Sequence, residues 1–195
     1  MTGSSIRAVL FDLDGTLLDT APDLVHALNE VRREQGLAAL PFEVARTQVS
    51  HGSSGLIRLG FPQLSGQPLE ELRLRLLEIY SANLAAGTKL FEGCQQVLDE
   101  LAARHMPWGI VTNKPAFLTL PLLATLGLDT HAGCVVSGDT LPERKPHPAP
   151  LQLAARQLNL SASDCLYVGD AERDVQSARA AGMPVLVARY GYLGP

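Results

Sequence analysis

Cysteine is scarce in this chain of 195 residues: Cys94, Cys134 and Cys165 form no CxxC pair and no Cys–His cluster. An odd, scattered set argues against a disulfide framework or a zinc site, and the three are expected to be reduced, mostly buried thiols of a cytoplasmic protein. Long hydrophobic runs are missing. None approaches the ~18–20 residues that span a bilayer, and "IRAVLF" near the start is too short for a signal peptide and is followed by acids. A basic stripe is missing as well. With a formal net charge of −4, the chain carries no nucleic-acid footprint, and an acidic substrate would need locally placed cations or a metal. There is no internal repeat and no low-complexity tract. These exclusions leave a soluble globular protein with a core large enough to fold unaided.

Five short apolar runs are present: "IRAVLF" (6–11), "MPWGIVT" (106–112), "GCVVSG" (133–138), "DCLYVGD" (164–170) and "MPVLVARY" (183–190). Their hydrophobicity is continuous rather than alternating, which suits strands covered on both faces. Helical patterns lie between them, in "CQQVLDELAARH", "PLQLAARQLNL" and "DVQSARAAG"; "AFLTLPLLATLG" is a more apolar version, with Pro121 expected to kink it or start a second piece. The alternation predicts a doubly wound α/β fold with a parallel sheet. Residues 20–87 break the rhythm. "TAPDLVHALNEVRREQG" has helix-end signals at both ends, and "PFEVARTQVS" and "PLEELRLRLLEIYSANLAAG" also read as helices. This segment is expected to be a helical insertion between the first and second strands, with "SHGSSG" (50–55) as a loop inside it.

In an open parallel sheet, ligands bind outside the carboxyl ends of the strands. Asp12 and Asp14 follow the first run, Thr112 and Asn113 the second, and Asp170 the fourth, with Asp174 one turn into the next helix. Lys145, in "ERKPHPAP", is expected beside them, with Pro146 and Pro148 holding the chain extended. Three or four carboxylates on one rim cannot all ionise without a compensating cation. Oxygen ligands with no His or Cys among them favour Mg²⁺ over zinc. Lys145, the Thr112 hydroxyl and nearby backbone N–H groups would then suit a phosphate. A calcium loop is excluded: counted from Asp12, the sixth position is Leu17 and the twelfth is Asp23. His26, His105, His131 and His147 show no ligand spacing, and Trp108 and Phe117 are expected in the core.

"DLDGTLLDT", "VTNK", "RKPHP" and "GDAERD", in that order, resemble the four motifs of the haloacid dehalogenase-like phosphatases, and the likeness spans almost the whole chain. The helical insertion resembles the C1 cap of that superfamily. "DTAPDL" and "LFEG" resemble the hinge and cap-return segments of its phosphoglycolate phosphatase-like members. "ELRL…LE.Y", "KLF.G" and "RYGY" segments are similar to those of a related group that hydrolyses N-acetylmuramic acid 6-phosphate.

The resemblance implies a core of 1–19 and 88–195 and a helical cap of 20–87, hinged near Leu17–Thr20 and Gly87–Gly93. It implies a Mg²⁺-dependent phosphate-monoester hydrolase working through an aspartyl phosphate. Asp12 would be the nucleophile and Asp14 the general acid and base. Thr112, Asn113 and Lys145 would hold phosphate; Asp12, the Asp14 carbonyl and Asp170 would bind metal, with Asp174 in or near that set. In the cap, backbone N–H groups of Gly52, Ser53 and Ser54 beside His51 are expected to receive a substrate carboxylate, with Arg58 assisting. The expected partner is thus a small phosphorylated metabolite carrying a carboxylate, with no nucleic acid and no membrane. Phosphoglycolate is the expected substrate and N-acetylmuramic acid 6-phosphate the alternative. Other readings fit less well. A dehalogenase does not need Asp14, the hinge histidine of a phosphomutase aligns with Leu24, and a non-catalytic module would not keep every motif. Members of the family usually continue through a further strand and helix, so a shortened C-terminus or a missing edge element is expected here.

Overall fold

A short strand whose every residue is apolar must be covered on both faces, and the first strand meets that condition. β1 (Ala8–Phe11) is buried throughout. Ala8 and Leu10 face one apolar cluster and Val9 and Phe11 another, as the two-residue period of a strand requires. The computed structural model describes residues 5–192; the ends of the expected core range, 1–4 and 193–195, lie outside them. β1 pairs in parallel with β4 (Trp108–Val111) on one side and β6 (Cys165–Gly169) on the other. β5 (Cys134–Val136) and β7 (Val185–Val187) complete a five-stranded parallel sheet of order β5-β4-β1-β6-β7. The chain thus crosses from one side of β1 to the other, which opens a crevice at the carboxyl ends of these strands.

α5 (Cys94–Ala103) and α6 (Ala116–Thr125) cover one face, where Phe11 meets Trp108 edge to face at 6.3 Å between ring centroids. α7 (Ala149–Gln157) and α8 (Glu172–Ala180) cover the other, over Leu10, Val136 and Tyr167. Each fully buried aliphatic side chain contributes about 1.5–3 kcal/mol to such layers. All three cysteines are buried and free, and burial pushes the Cys134 thiol up to about 12, so it stays protonated. Among the described residues no helix is long and apolar enough to cross a membrane.

Four α-helices lie in the segment 20–87 that follows β1. α1 (Ala21–Glu34), with Pro22 in its first turn, packs most extensively on α4 (Gln67–Ala82); α2 (Phe42–Arg46) and α3 (Gly52–Gly60) close the cluster around Leu28, Leu56, Leu76 and Tyr80. The chain leaves and returns through two strands of two residues each, β2 (Leu18–Asp19) and β3 (Lys89–Leu90), paired antiparallel. Asp23 reinforces the crossing by accepting from the Gly87 and Thr88 N–H groups and the Thr88 hydroxyl.

Four local expectations need correction. Residues 50–55 are not a loop but the end of a 3₁₀ turn (Val49–His51) and the first turn of α3; Gly52, at φ +65°, supplies the left-handed step between them. Pro121 does not divide α6, which runs through it as one helix. Phe117 is exposed, because it lies on the outer side of α6 while Leu118 and Leu122 turn inward. The segment around Pro146 is a turn rather than extended, and the Lys145–Pro146 peptide bond is cis.

Candidate active site

Asp12 is the first residue beyond β1. Its N–H still donates to Val168 of β6, so its backbone belongs to the sheet while its carboxylate lies past the strand end. The chain then turns tightly, with the Leu13 carbonyl accepting from the N–H groups of Thr16, Leu17 and Leu18. Gly15 makes this turn at φ +87°, and a Cβ there would lie 2.3 Å from Asp170 Oδ2. Both facts demand glycine. Gly15→Ala is therefore expected to lower stability by more than about 1 kcal/mol and to displace Asp170. Thermal unfolding and a divalent-metal titration would check this; unchanged values in both would contradict the tight approach.

Lys145 is fully buried at the centre of the acidic residues. Its ammonium lies 2.8 Å from each of four oxygens: Asp12 Oδ1, Asp174 Oδ1, the Val111 carbonyl and the Tyr167 hydroxyl. An ammonium has three N–H groups, so one lysine does not satisfy this set. Burial pushes the Asp12 carboxyl up to about 7, against the pull of Lys145 and with the push of Asp174. For Asp174 burial acts in the same upward direction, but Lys145 beside it prevails and holds it below its ordinary value. Burial also raises Asp170, whose Oδ2 accepts from the Ser50 hydroxyl at 2.7 Å and the Tyr192 N–H at 3.2 Å. Asp170 Oδ1 is buried without a hydrogen-bond partner. Ligand atoms of Asp12, Asp170 and Asp174 lie within 4.8 Å of one another. An orphaned carboxylate oxygen beside two further buried carboxylates is a donor set for a hard divalent cation, and the residues fit one.

Beside this cluster is a cavity of about 370 Å³. Of the residues expected at the site, Asp12, Asp14, Thr112, Asn113, His51, Gly52, Ser53 and Ser54 line it; Arg58 is exposed on α3 outside it. Arg58 points away because α3 turns Leu56 and Ile57 inward; the arginine that reaches the cavity from the insertion is Arg73 of α4, with Nη1 3.3 Å from Ser53 Oγ. Asn113, which lines the cavity, also has a structural part. Its side-chain amide donates to the Lys145 carbonyl and accepts from the Lys145 N–H, so it clamps that backbone. The Thr112 hydroxyl accepts from the Lys114 N–H and keeps its own proton to donate. Asp19 caps α1 by accepting from the Ala21 N–H and the Tyr192 hydroxyl, as a helix-start residue would.

Sequence reasoning missed three further residues. Tyr167 holds Lys145 from β6 and donates toward Asp174; its place in a strand run marked it only as core. Arg173 lies 3.9 Å from Asp12 Oδ2 and lines the cavity. Lys114 donates to Asp14 Oδ1 at 3.0 Å and to the Tyr80 hydroxyl at 2.8 Å. Burial opposes its charge, yet Asp14 and Tyr80 together hold it above the ordinary lysine range. Its position inside "VTNK" was the available signal.

Comparison with known proteins agrees with this geometry. Residues 9–188 match the family described as Haloacid dehalogenase-like hydrolase. The chain is 45% identical over 186 residues to a phosphoglycolate phosphatase of Xanthomonas campestris pv. campestris, covering 95% of this chain and 84% of that one. It is 40% identical over 193 residues to an N-acetylmuramic acid 6-phosphate phosphatase of Pseudomonas putida, covering 97% and 86%. The crystal structure of a predicted phosphoglycolate phosphatase from Haemophilus somnus 129PT superposes with a TM-score of 0.86 at 28% identity, covering 96% of this chain and 87% of that one. With the ordered motifs, the parallel sheet and a family match across nearly its whole length, the chain belongs to the haloacid dehalogenase-like hydrolases.

Proposed function

We infer that the protein is a Mg²⁺-dependent phosphate-monoester hydrolase whose substrate is phosphoglycolate. The observation that carries this reading is Asp12 at the cavity wall, with one carboxylate oxygen held by a buried lysine and an acidic cluster directly behind it. Asp12 Oδ1 accepts from Lys145 and from the Leu13 N–H, which leaves Oδ2 to attack phosphorus. As the Asp12–phosphorus bond forms, the ester oxygen departs and takes a proton from Asp14. Asp14 then removes a proton from the water that attacks the aspartyl phosphate, and inorganic phosphate leaves. Asp12, Asp170 and the Asp14 carbonyl would hold Mg²⁺, with Asp174 close by. The ion would supply charge neutralisation that Lys145 alone does not provide.

The domain division follows the same reading: 1–19 and 88–195 as the core, 20–87 as a cap. Its helices share their own apolar cluster, which Leu118 and Tyr192 join from the core, and the paired β2–β3 crossing ties their two ends. Closure of such a cap would exclude water during the first transfer and admit it for the second. On the cap side, Ser53 and the Arg73 nitrogen not paired with Glu70 border the cavity, which supports a carboxylate on the substrate. A cytoplasmic location suits a metabolite phosphatase with three reduced thiols.

The second reading is N-acetylmuramic acid 6-phosphate. It is favoured by the cavity of about 370 Å³, more room than a two-carbon acid fills. The deciding measurement is kcat/KM with Mg²⁺ on both esters. We expect phosphoglycolate to be preferred by at least ~10-fold, equivalent to about 1.4 kcal/mol in transition-state binding. The reverse preference would assign the amino-sugar substrate instead.

A further inference from the structure

Lys114 makes two contacts that the scheme above does not use. It follows Thr112 and Asn113 in the turn after β4, and its side chain is 5% exposed. A lysine ammonium is costly to bury unless it is paired and hydrogen-bonded. One partner is Asp14 Oδ1 and the other is the hydroxyl of Tyr80. The two belong to different parts of the molecule. Asp14 lies in the turn that follows β1, whereas Tyr80 is a fully buried residue of α4, packed in the cluster formed by the inserted helices.

The geometry of the first contact has a consequence for proton transfer. An ammonium fixed on Oδ1 sets the rotation of the Asp14 carboxyl group and leaves Oδ2 as the oxygen free to exchange a proton. A general acid must present its proton within hydrogen-bond reach of the departing atom, so control of that rotation controls the efficiency of the step. The second contact ties the ammonium to α4. If α4 moves away from the core, the Tyr80 hydroxyl goes with it, and Lys114 loses one of the two oxygens that fix its position.

We propose that Lys114 is the positioning residue for Asp14, and that Tyr80 makes this positioning depend on the seating of the inserted helices over the core. The proposal rests on the reading of Asp14 as the general acid. It adds a device that aims the acid only when the helices that cover the substrate are in place. Lys145 and Lys114 then divide the two aspartates between them: the first serves the nucleophile and the second serves the acid.

The test uses the dependence on leaving group. An alkyl phosphate such as 2-phosphoglycolate needs a proton on its departing oxygen, whereas p-nitrophenyl phosphate releases a stable phenolate without one. With Mg²⁺ present, Lys114→Met is expected to lower kcat/KM for 2-phosphoglycolate by roughly 10²-fold and for p-nitrophenyl phosphate by less than ~10-fold. Lys114→Arg should recover part of the loss. In an Asp14→Ala background the same Lys114 substitution should cost almost nothing further, since coupled residues are not additive. Tyr80→Phe keeps the packed ring, and should reproduce the selective loss on the alkyl ester at smaller size even where Lys114→Met fails to fold. Equal losses on both esters, or an undiminished loss in the Asp14→Ala background, would overturn the positioning role. A Tyr80→Phe protein identical to wild type would overturn the link to the inserted helices. If the wild-type protein hydrolyses neither of these esters nor N-acetylmuramic acid 6-phosphate, the phosphatase reading itself falls and this proposal with it, an outcome distinct from the others.

Discussion

Asp12→Asn is expected to reduce turnover by on the order of 10⁴-fold or more without unfolding the protein. The substitution keeps the shape of the side chain and an oxygen to accept from Lys145 and the Leu13 N–H. In the proposed scheme it removes the anionic oxygen that attacks phosphorus, and an amide does not replace it. Stability should hold at neutral pH, because burial already works against the charge of this carboxyl. The decisive measurement is acid-quenched labelling with a ³²P-phosphate ester, which should trap a phosphoenzyme from the wild-type protein and none from the variant. A variant that is still labelled would remove Asp12 from the nucleophile's role.

Lys145→Met should be the most damaging single change to the fold of the site. The lysine is flanked by Asp12 and Asp174, both almost wholly buried. Truncating one member of such a group leaves the others as uncompensated buried charge, which typically costs about 3–5 kcal/mol. In a chain of this size that lowers Tm by on the order of 10 °C. Turnover should be lost as well. The double variant Lys145→Met/Asp174→Asn separates the two effects: removing the second carboxylate should recover part of the stability and none of the activity. A single variant that melts with the wild-type protein would show that Lys145 does not balance these charges.

The chemistry-bearing ends of the strands were legible because each short apolar run stops at a polar residue. Asp12, Thr112 and Asp170 lie directly beyond β1, β4 and β6, and the parallel sheet brings those ends together. What was not legible depends on partners distant in sequence. Tyr80 is spaced as a core residue of α4 and meets Lys114 only through packing. Arg73 is paired with Glu70 one turn earlier, and its remaining nitrogen turns to Ser53 of another helix, a contact that spacing along the chain does not show. The strands β2 and β3 hold two residues each, too few to show any alternation. "SHGSSG" has a loop's composition, and tertiary contact with Asp170 through Ser50 accompanies its helical form. Pro121 stays inside α6, as packing of Leu118, Leu122 and Leu123 outweighs one missing N–H donor.

The β2–β3 pair also bears on how such a protein diversifies. Its crossing is held by main-chain pairing and by Asp23, not by side chains from the distant ends of the inserted helices. Substitutions in those helices away from the contacts of Ser50 and Tyr80 with the core can therefore accumulate while the segment still lands over the same crevice. Asp12, Asp14 and both lysines lie outside the segment, whereas Ser53 and Arg73, which line the cavity, lie within it. Selection for a new metabolite can thus rewrite recognition in one stretch of the gene and inherit the two aspartates and both lysines unchanged, so long as Tyr80 keeps its hydroxyl on Lys114.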